Sequence, residues 1–181
     1  EGADDDSHGR KPVESPRPHT KSPKGRLKGT AMGHTYANIL LHVVFSTKER
    51  RPLIADSFRD RLYEYMSGLA KGEFGQALAI GGTRDHVHAL LALHPTVSLA
   101  HAMSRWKSLS SGWVHKTFPE APHFGWQAGY GAFSVSQSNV ARVIAYIEHQ
   151  PEHHRRLTFD EEFLALLRRQ GLEHDPREGW R

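Results

Sequence analysis

The chain has 181 residues, enough for one domain with a real core plus flanking tails. It has no cysteine, which excludes disulfides, thiolate zinc sites and a cysteine nucleophile and fits a reducing compartment. No apolar run approaches the roughly 18 residues of a membrane span, and a net charge of +4 permits a polyanionic partner without requiring one.

Residues 1–31 carry Pro12, Pro16, Pro18 and Pro23 and almost no large apolar side chain. Such a segment cannot bury enough surface to fold. It reads as a disordered extension, basic in its second half through Arg17, Lys21, Lys24, Arg26 and Lys28. Its acidic start, Glu1-Gly2-Ala3-Asp4-Asp5-Asp6, does not resemble a signal peptide. The foldable domain is expected over residues 32–181.

Tyr36 to Phe45 is rich in branched and apolar residues and reads as a strand, followed by the basic turn Lys48-Glu49-Arg50-Arg51-Pro52. Asp56 to Lys71 reads as a helix, with Phe58, Leu62, Tyr65 and Leu69 on one face. Strands are expected over Gln76–Gly82 and Arg84–Leu93, turning at Gly81-Gly82-Thr83. A second helix is expected from Thr96 to Phe118. Phe124 to Ser134 is aromatic and glycine-rich and suits a short strand or an irregular insert. A third helix, capped by Ser136 or Ser138, runs to Gln150 and is stopped by Pro151. Asp160 to Gln170 forms the last, ended by Gly171. This order predicts an α+β fold: a ferredoxin-like or RNA-recognition-like antiparallel sheet with helices on one face.

Two short motifs carry the chemistry. In Asp85-His86-Val87-His88 the strand alternation points both imidazoles to one face and Val87 into the core. The ordinary explanation is two polar residues on a solvated sheet face. In Tyr146-Ile147-Glu148-His149-Gln150, Tyr146 and Gln150 lie at i and i+4 on one helix face, beside an apolar face of Val140, Val143, Ile144 and Ile147. Taken alone, Tyr146 is better explained as a core residue with its hydroxyl at the rim. Together, two imidazoles and an amide oxygen suit a hard divalent cation, Mg2+ or Mn2+, with open positions. A tyrosine beside such a cation is a candidate nucleophile for a phosphodiester.

These motifs resemble the small single-tyrosine HUH transposases of bacterial insertion sequences, the transposase A type. The matching segments are His42-Val43-Val44-Phe45-Ser46-Thr47-Lys48 with Arg50-Arg51-Pro52, Asp85-His86-Val87-His88, Gly129-Tyr130-Gly131-Ala132-Phe133-Ser134, and Val143 through Gln150. The likeness spans about residues 35–180, and His149 stands where family members often carry Asn. It implies an HUH fold, with His86, His88 and Gln150 as metal ligands. It implies that Tyr146 attacks single-stranded DNA to give a 5′-phosphotyrosine and a free 3′-hydroxyl. It also implies hairpin substrates and a homodimer in which the tyrosine helix packs in trans against the partner's histidines.

Lys48, Arg50 and Arg51, with Arg105 and Lys107 in the second helix, are the expected DNA contacts. Trp106 and Trp113 are either base-stacking platforms or core residues. Tyr130 is a rival nucleophile, but its glycine-flanked setting favours a structural or DNA-contact role. A domesticated hairpin-binding protein that no longer transposes is the second expectation, and a replication- or conjugation-type HUH nuclease the third. Either way the protein is expected in the cytoplasm, at the nucleoid, with no membrane partner.

Overall fold

A computed structural model describes residues 36–173, which belong to the second of two compact units, divided after Thr35. The expected basic extension over residues 1–31 lies outside the described residues. The elements are β1 (Leu40–Ser46), α1 (Arg59–Glu73), β2 (Gly75–Gly82), β3 (His86–Leu93), α2 (Leu99–Thr117), β4 (Gly131–Ser134), α3 (Val140–Glu148), α4 (Gln150–His153) and α5 (Phe159–Arg169). The strands pair antiparallel in the order β2-β3-β1-β4. The first strand starts at Leu40 rather than Tyr36, which is almost fully exposed.

Strand alternation sorts the side chains into two layers. On one face Val43, Phe45, Val87, Ala89 and Leu91 meet α1 and α2. Leu62, Met66 and Ala70 form the buried stripe of α1, with Phe58 just before it; Tyr65 lies beside this stripe and stacks on Trp113 at 4.5 Å. Trp106 is fully buried and donates its indole N–H to the Met66 carbonyl at 2.8 Å, so it is a core residue. Each such buried leucine-sized group contributes about 1.5–3 kcal/mol. This face therefore supplies most of the apolar burial and leaves the opposite face free to carry polar groups.

That opposite face presents His42, Val44, His86 and His88. It is covered by the C-terminal helices, so helices lie on both faces of the sheet rather than on the one face expected from the sequence. Phe159 and Phe163 of α5 pack on Val44 and Phe133. Helix α3 lies against β2 so closely that a Cβ on Gly81 would sit 2.3 Å from the Ile147 carbonyl oxygen. Pro151 does not end the helical run. Helix α3 stops at Glu148, and Pro151 sits in the first turn of α4, where its missing N–H costs nothing. A reciprocal capping box between Thr158 and Glu161 starts α5.

Candidate active site

The site lies on the polar face of the sheet, between β3, α3, α4 and α5. His86 and His88 follow the expected parity on β3, yet they are buried rather than solvated. Register pairs Val44 with His88 and Ser46 with His86, which places His42 on the same face one step along β1. The next turn is locked to the site: Thr47 donates from its amide (2.8 Å) and its hydroxyl (3.0 Å) to the Asp85 carbonyl.

The imidazole tautomers follow from their partners. His86 Nδ1 lies 2.8 Å from Asp85 Oδ1, and Thr83 Oγ1 donates to that same oxygen at 2.7 Å. Nδ1 therefore carries the proton, and Nε2 is left as a bare lone pair with no hydrogen-bond partner. His88 Nδ1 lies 3.0 Å from His42 Nε2, and its own Nε2 is likewise without a hydrogen-bond partner. Burial, reinforced by the proximity of His88, pushes His42 down to about 3. Burial also pushes His88 down to about 4, against the opposing pull of Glu162. Both rings are held neutral at physiological pH, and for His88 that is the form that ligates a metal.

Gln150 is fully buried at the start of α4. Its Nε2 donates to Glu162 Oε1 at 2.8 Å, leaving Oε1 without a partner. Tyr146 is half-buried, with its ring 5.9 Å from the rings of both His42 and His88. Its hydroxyl donates to Glu162 Oε1. Burial and this carboxylate push the phenol well above its ordinary value.

Glu162 is the hub that sequence reasoning missed. It is 2% exposed. Oε1 takes Tyr146 and Gln150, and Oε2 takes His154 Nε2 at 2.9 Å. Oε2 also lies 3.3 Å from His88 Nε2 and 4.0 Å from His86 Nε2. Burial alone would raise this carboxyl, but His154, His88 and Tyr146 outweigh it and hold the group well below the carboxylate range. His154 is raised in turn, because Glu162 outweighs the burial of the ring. Ligand atoms of His86, His88, His154 and Glu162 lie within 4.8 Å of one another.

The structure thus brings together Tyr146, His86, His88 and Gln150. Arg50 lies nearby, with Lys48 and Arg51 exposed in the same turn. Glu49 and Arg50 both adopt left-handed backbone (φ 57° and 52°), which directs Arg50 to Asp160 at 2.7 Å and over the Phe159 ring. A cleft of about 680 Å3 opens here, lined by Arg50, Arg155, Arg156, Thr83, Asp85 and His154. Arg105 and Lys107 are not part of this surface. They lie on α2 across the sheet, where Arg105 is paired bidentately with Glu73 (3.0 and 3.1 Å). Lys107 Nζ donates to the carbonyls of Gln127 and Gly129, and burial lowers it to about 8. Trp113 and Tyr130 pack against the α1–α2 core.

The antiparallel sheet sets a His-hydrophobe-His strand against a tyrosine helix. The unpartnered acceptors His86 Nε2 and Gln150 Oε1, with His88 and Glu162 beside them, fit a divalent cation. The family described as "Transposase IS200 like" matches residues 35–150, and the chain belongs to that family. It is 28% identical over 127 residues to the transposases for insertion sequence element IS200 of Salmonella typhimurium and Salmonella typhi, covering 67% of this chain and 83% of each of theirs. The fold is similar to a candidate transposase from Deinococcus radiodurans R1 (TM-score 0.53, 25% identity, 67% of this chain and 96% of that one). It also matches a REP-associated tyrosine transposase bound to a REP hairpin (TM-score 0.51, 12% identity, 69% and 74%).

Proposed function

We propose that this transposase cleaves and rejoins single-stranded DNA through Tyr146 and that its substrates are hairpins at element ends. The observation that carries the reading is the convergence of Tyr146 with His86, His88 and Gln150 around Glu162, with His86 Nε2 and Gln150 Oε1 buried acceptors that have no hydrogen-bond partner. His86, His88 and Gln150 would hold Mg2+ or Mn2+, which would polarise the scissile phosphate. Asp85 and His42 fix the two imidazoles. The Tyr146 oxygen attacks phosphorus, the bond to the 3′ oxygen breaks, and a 5′-phosphotyrosine and a 3′-hydroxyl result. Glu162 Oε1 orients the phenol by accepting its hydrogen bond, and the proton that the phenol gives up is balanced by the one the released 3′ oxygen takes up. Reversal by another 3′-hydroxyl rejoins DNA with no external energy source, because the phosphodiester energy is kept in the phosphotyrosine link.

Lys48, Arg50 and Arg51 hold phosphates along the cleft. Arg105 and Lys107 reach DNA only where a hairpin stem extends across the sheet. Hairpin recognition is supported by the similar fold that binds a REP hairpin. A second copy, with tyrosine helices exchanged, is the assembly the resemblance implies. DNA as substrate places the protein at the nucleoid, and no helix among the described residues is long and apolar enough to cross a membrane.

Purified protein is incubated with labelled hairpin oligonucleotides carrying single-stranded flanks, with Mn2+, and run on a denaturing gel. Wild type forms an adduct that chelator abolishes, and Tyr146→Phe forms none while still binding the hairpin. An adduct persisting in Tyr146→Phe overturns the assignment. Hairpin binding with no adduct from wild type, with either metal, favours the domesticated hairpin-binding protein.

A further inference from the structure

Glu162 is not among the ligands that the His-x-His strand and the tyrosine helix supply, and it comes from a different element. We propose that Glu162 is itself a ligand of the site's cation, so that α5 completes a centre of two imidazoles, one carboxylate and one amide oxygen. This rests on the cation-assisted reading above.

Two buried acceptors conflict at the site. His86 Nε2 is a bare lone pair because Nδ1–H is committed to Asp85. It faces Glu162 Oε2 at 4.0 Å. His88 Nε2 faces the same oxygen at 3.3 Å, and its Nδ1 lies 3.0 Å from His42 Nε2, so its proton sits on whichever nitrogen that pair leaves it. The His86 lone pair and the carboxylate are buried acceptors turned on one another, and such groups repel unless something positive lies between them. Metal–nitrogen and metal–oxygen bonds near ~2.1 Å put neighbouring donor atoms about 3–4 Å apart, the separation seen here.

The carboxylate is also held for this role. Its other oxygen is fixed by Tyr146 and Gln150, and it sits one turn inside a helix anchored by Phe159 and Phe163 and started by a capping box. His154 supplies a balancing N–H donor, its own Nδ1 lying 3.0 Å from the Leu157 carbonyl. A hard carboxylate favours Mg2+ and Mn2+ over softer competitors more strongly than two imidazoles and an amide do. Because Oε1 also holds the Tyr146 hydroxyl, a cation bound through Oε2 lies next to the nucleophile.

The test is Mn2+ binding to the full chain without DNA, followed by calorimetry and by loss of the free Mn2+ paramagnetic signal. Wild type binds Mn2+, His88→Ala abolishes binding, and Glu162→Gln weakens it tenfold or more. Melting in chelator reports that each variant is folded. Should Glu162→Gln not fold, Glu162→Asp keeps the charge on a shorter arm and is expected to bind Mn2+ at least threefold more weakly than wild type. Mn2+ affinity unchanged within twofold in the folded Glu162 variant, with binding still lost in His88→Ala, overturns this ligand assignment alone. Tighter binding in Glu162→Gln also overturns it and makes the carboxylate a plug over the histidines. Wild type that takes up no Mn2+ overturns both this proposal and the cation-assisted reading.

Discussion

At the scale of single residues, the buried imidazoles set a measurable pH dependence. His42 and His88 are held down to about 3 and about 4, whereas an unfolded imidazole titrates near ~6.5. Between those values the unfolded chain binds protons that the folded site refuses. Stability therefore falls as pH drops from ~6.5 toward 4. Glu162, depressed in the fold, acts in the same direction at the lower end of that window. The melting temperature of the chelator-treated protein is expected to drop steadily from pH 7 to pH 4.5. In His42→Gln, which keeps a polar partner for His88 and removes one of the two titrations, the drop is reduced by roughly half. Equal pH slopes in the two proteins would show that His42 is not held neutral.

The reason part of the site was legible and part was not also lies in particular residues. His86 and His88 needed only the two-residue period of a strand, and Tyr146 and Gln150 only the turn of a helix. Glu162 follows Asp160 and Glu161 in the first turn of α5, where three acidic residues match the helix dipole equally well. Which of them turns inward depends on how Phe159 and Phe163 seat the helix on Phe133 and on Val44, the latter more than a hundred residues away in the chain. His42 was hidden for the same reason: its role depends on the β1–β3 register. The intramolecular partners of Arg105 and Lys107 were not legible either, because charge on a helix does not reveal Glu73 or the carbonyls of Gln127 and Gly129.

At the scale of elements, the decisive contact is α3 against β2. Gly81 has no room for a side chain, since the obstructing atom is the backbone oxygen of Ile147 at 2.3 Å. Gly81→Ala must therefore move the helix that carries Tyr146. A cost of about 1–3 kcal/mol is expected from urea unfolding, with covalent adduct formation reduced at least tenfold while hairpin binding changes little. Gly68 is the control. It is exposed within α1, and an added Cβ meets nothing within 4 Å. Gly68→Ala is expected to stabilise by roughly 0.5–1 kcal/mol and leave adduct formation intact. Equal destabilisation by both substitutions would mean that the close approach of α3 is not what Gly81 provides. The start of α5 is a separate matter: Thr158→Ala removes the cap and is expected to cost about 1 kcal/mol in the same assay. The elements themselves were largely readable from periodicity. The exceptions were Tyr36–Ile39, whose side chains are exposed outside the sheet, and Pro151, which starts a helical turn instead of ending one.

At the scale of the whole molecule, charge is unevenly placed around the fold, and salt dependence reads the placement. Arg155 and Arg156 are exposed along the cleft beside His154, whereas Arg105 is pinned to Glu73 across the sheet. Each phosphate contact that is lost should lower the slope of log affinity against log salt by about 0.7–0.9. Arg155→Ala and Arg156→Ala are each expected to do so for a hairpin with a single-stranded flank, and Arg105→Ala to leave the slope unchanged. The same scale decides whether one chain or two make a working site. Tyr146, Gln150, His86 and His88 converge within a single chain, and Glu162 of that chain holds the tyrosine hydroxyl. Exchange of the tyrosine helix would have to break those bonds and recreate them on a partner. Tyr146→Phe and His88→Ala are each inactive in a site built from one chain, and mixing them restores nothing. If helices exchange, the mixture contains composite sites with Tyr146 from one copy and His88 from the other, and a covalent adduct returns at roughly a quarter of the wild-type yield, the statistical share of doubly intact sites in a freely exchanging pair. The single-chain geometry predicts a blank lane, and an adduct in the mixture would establish assembly in trans.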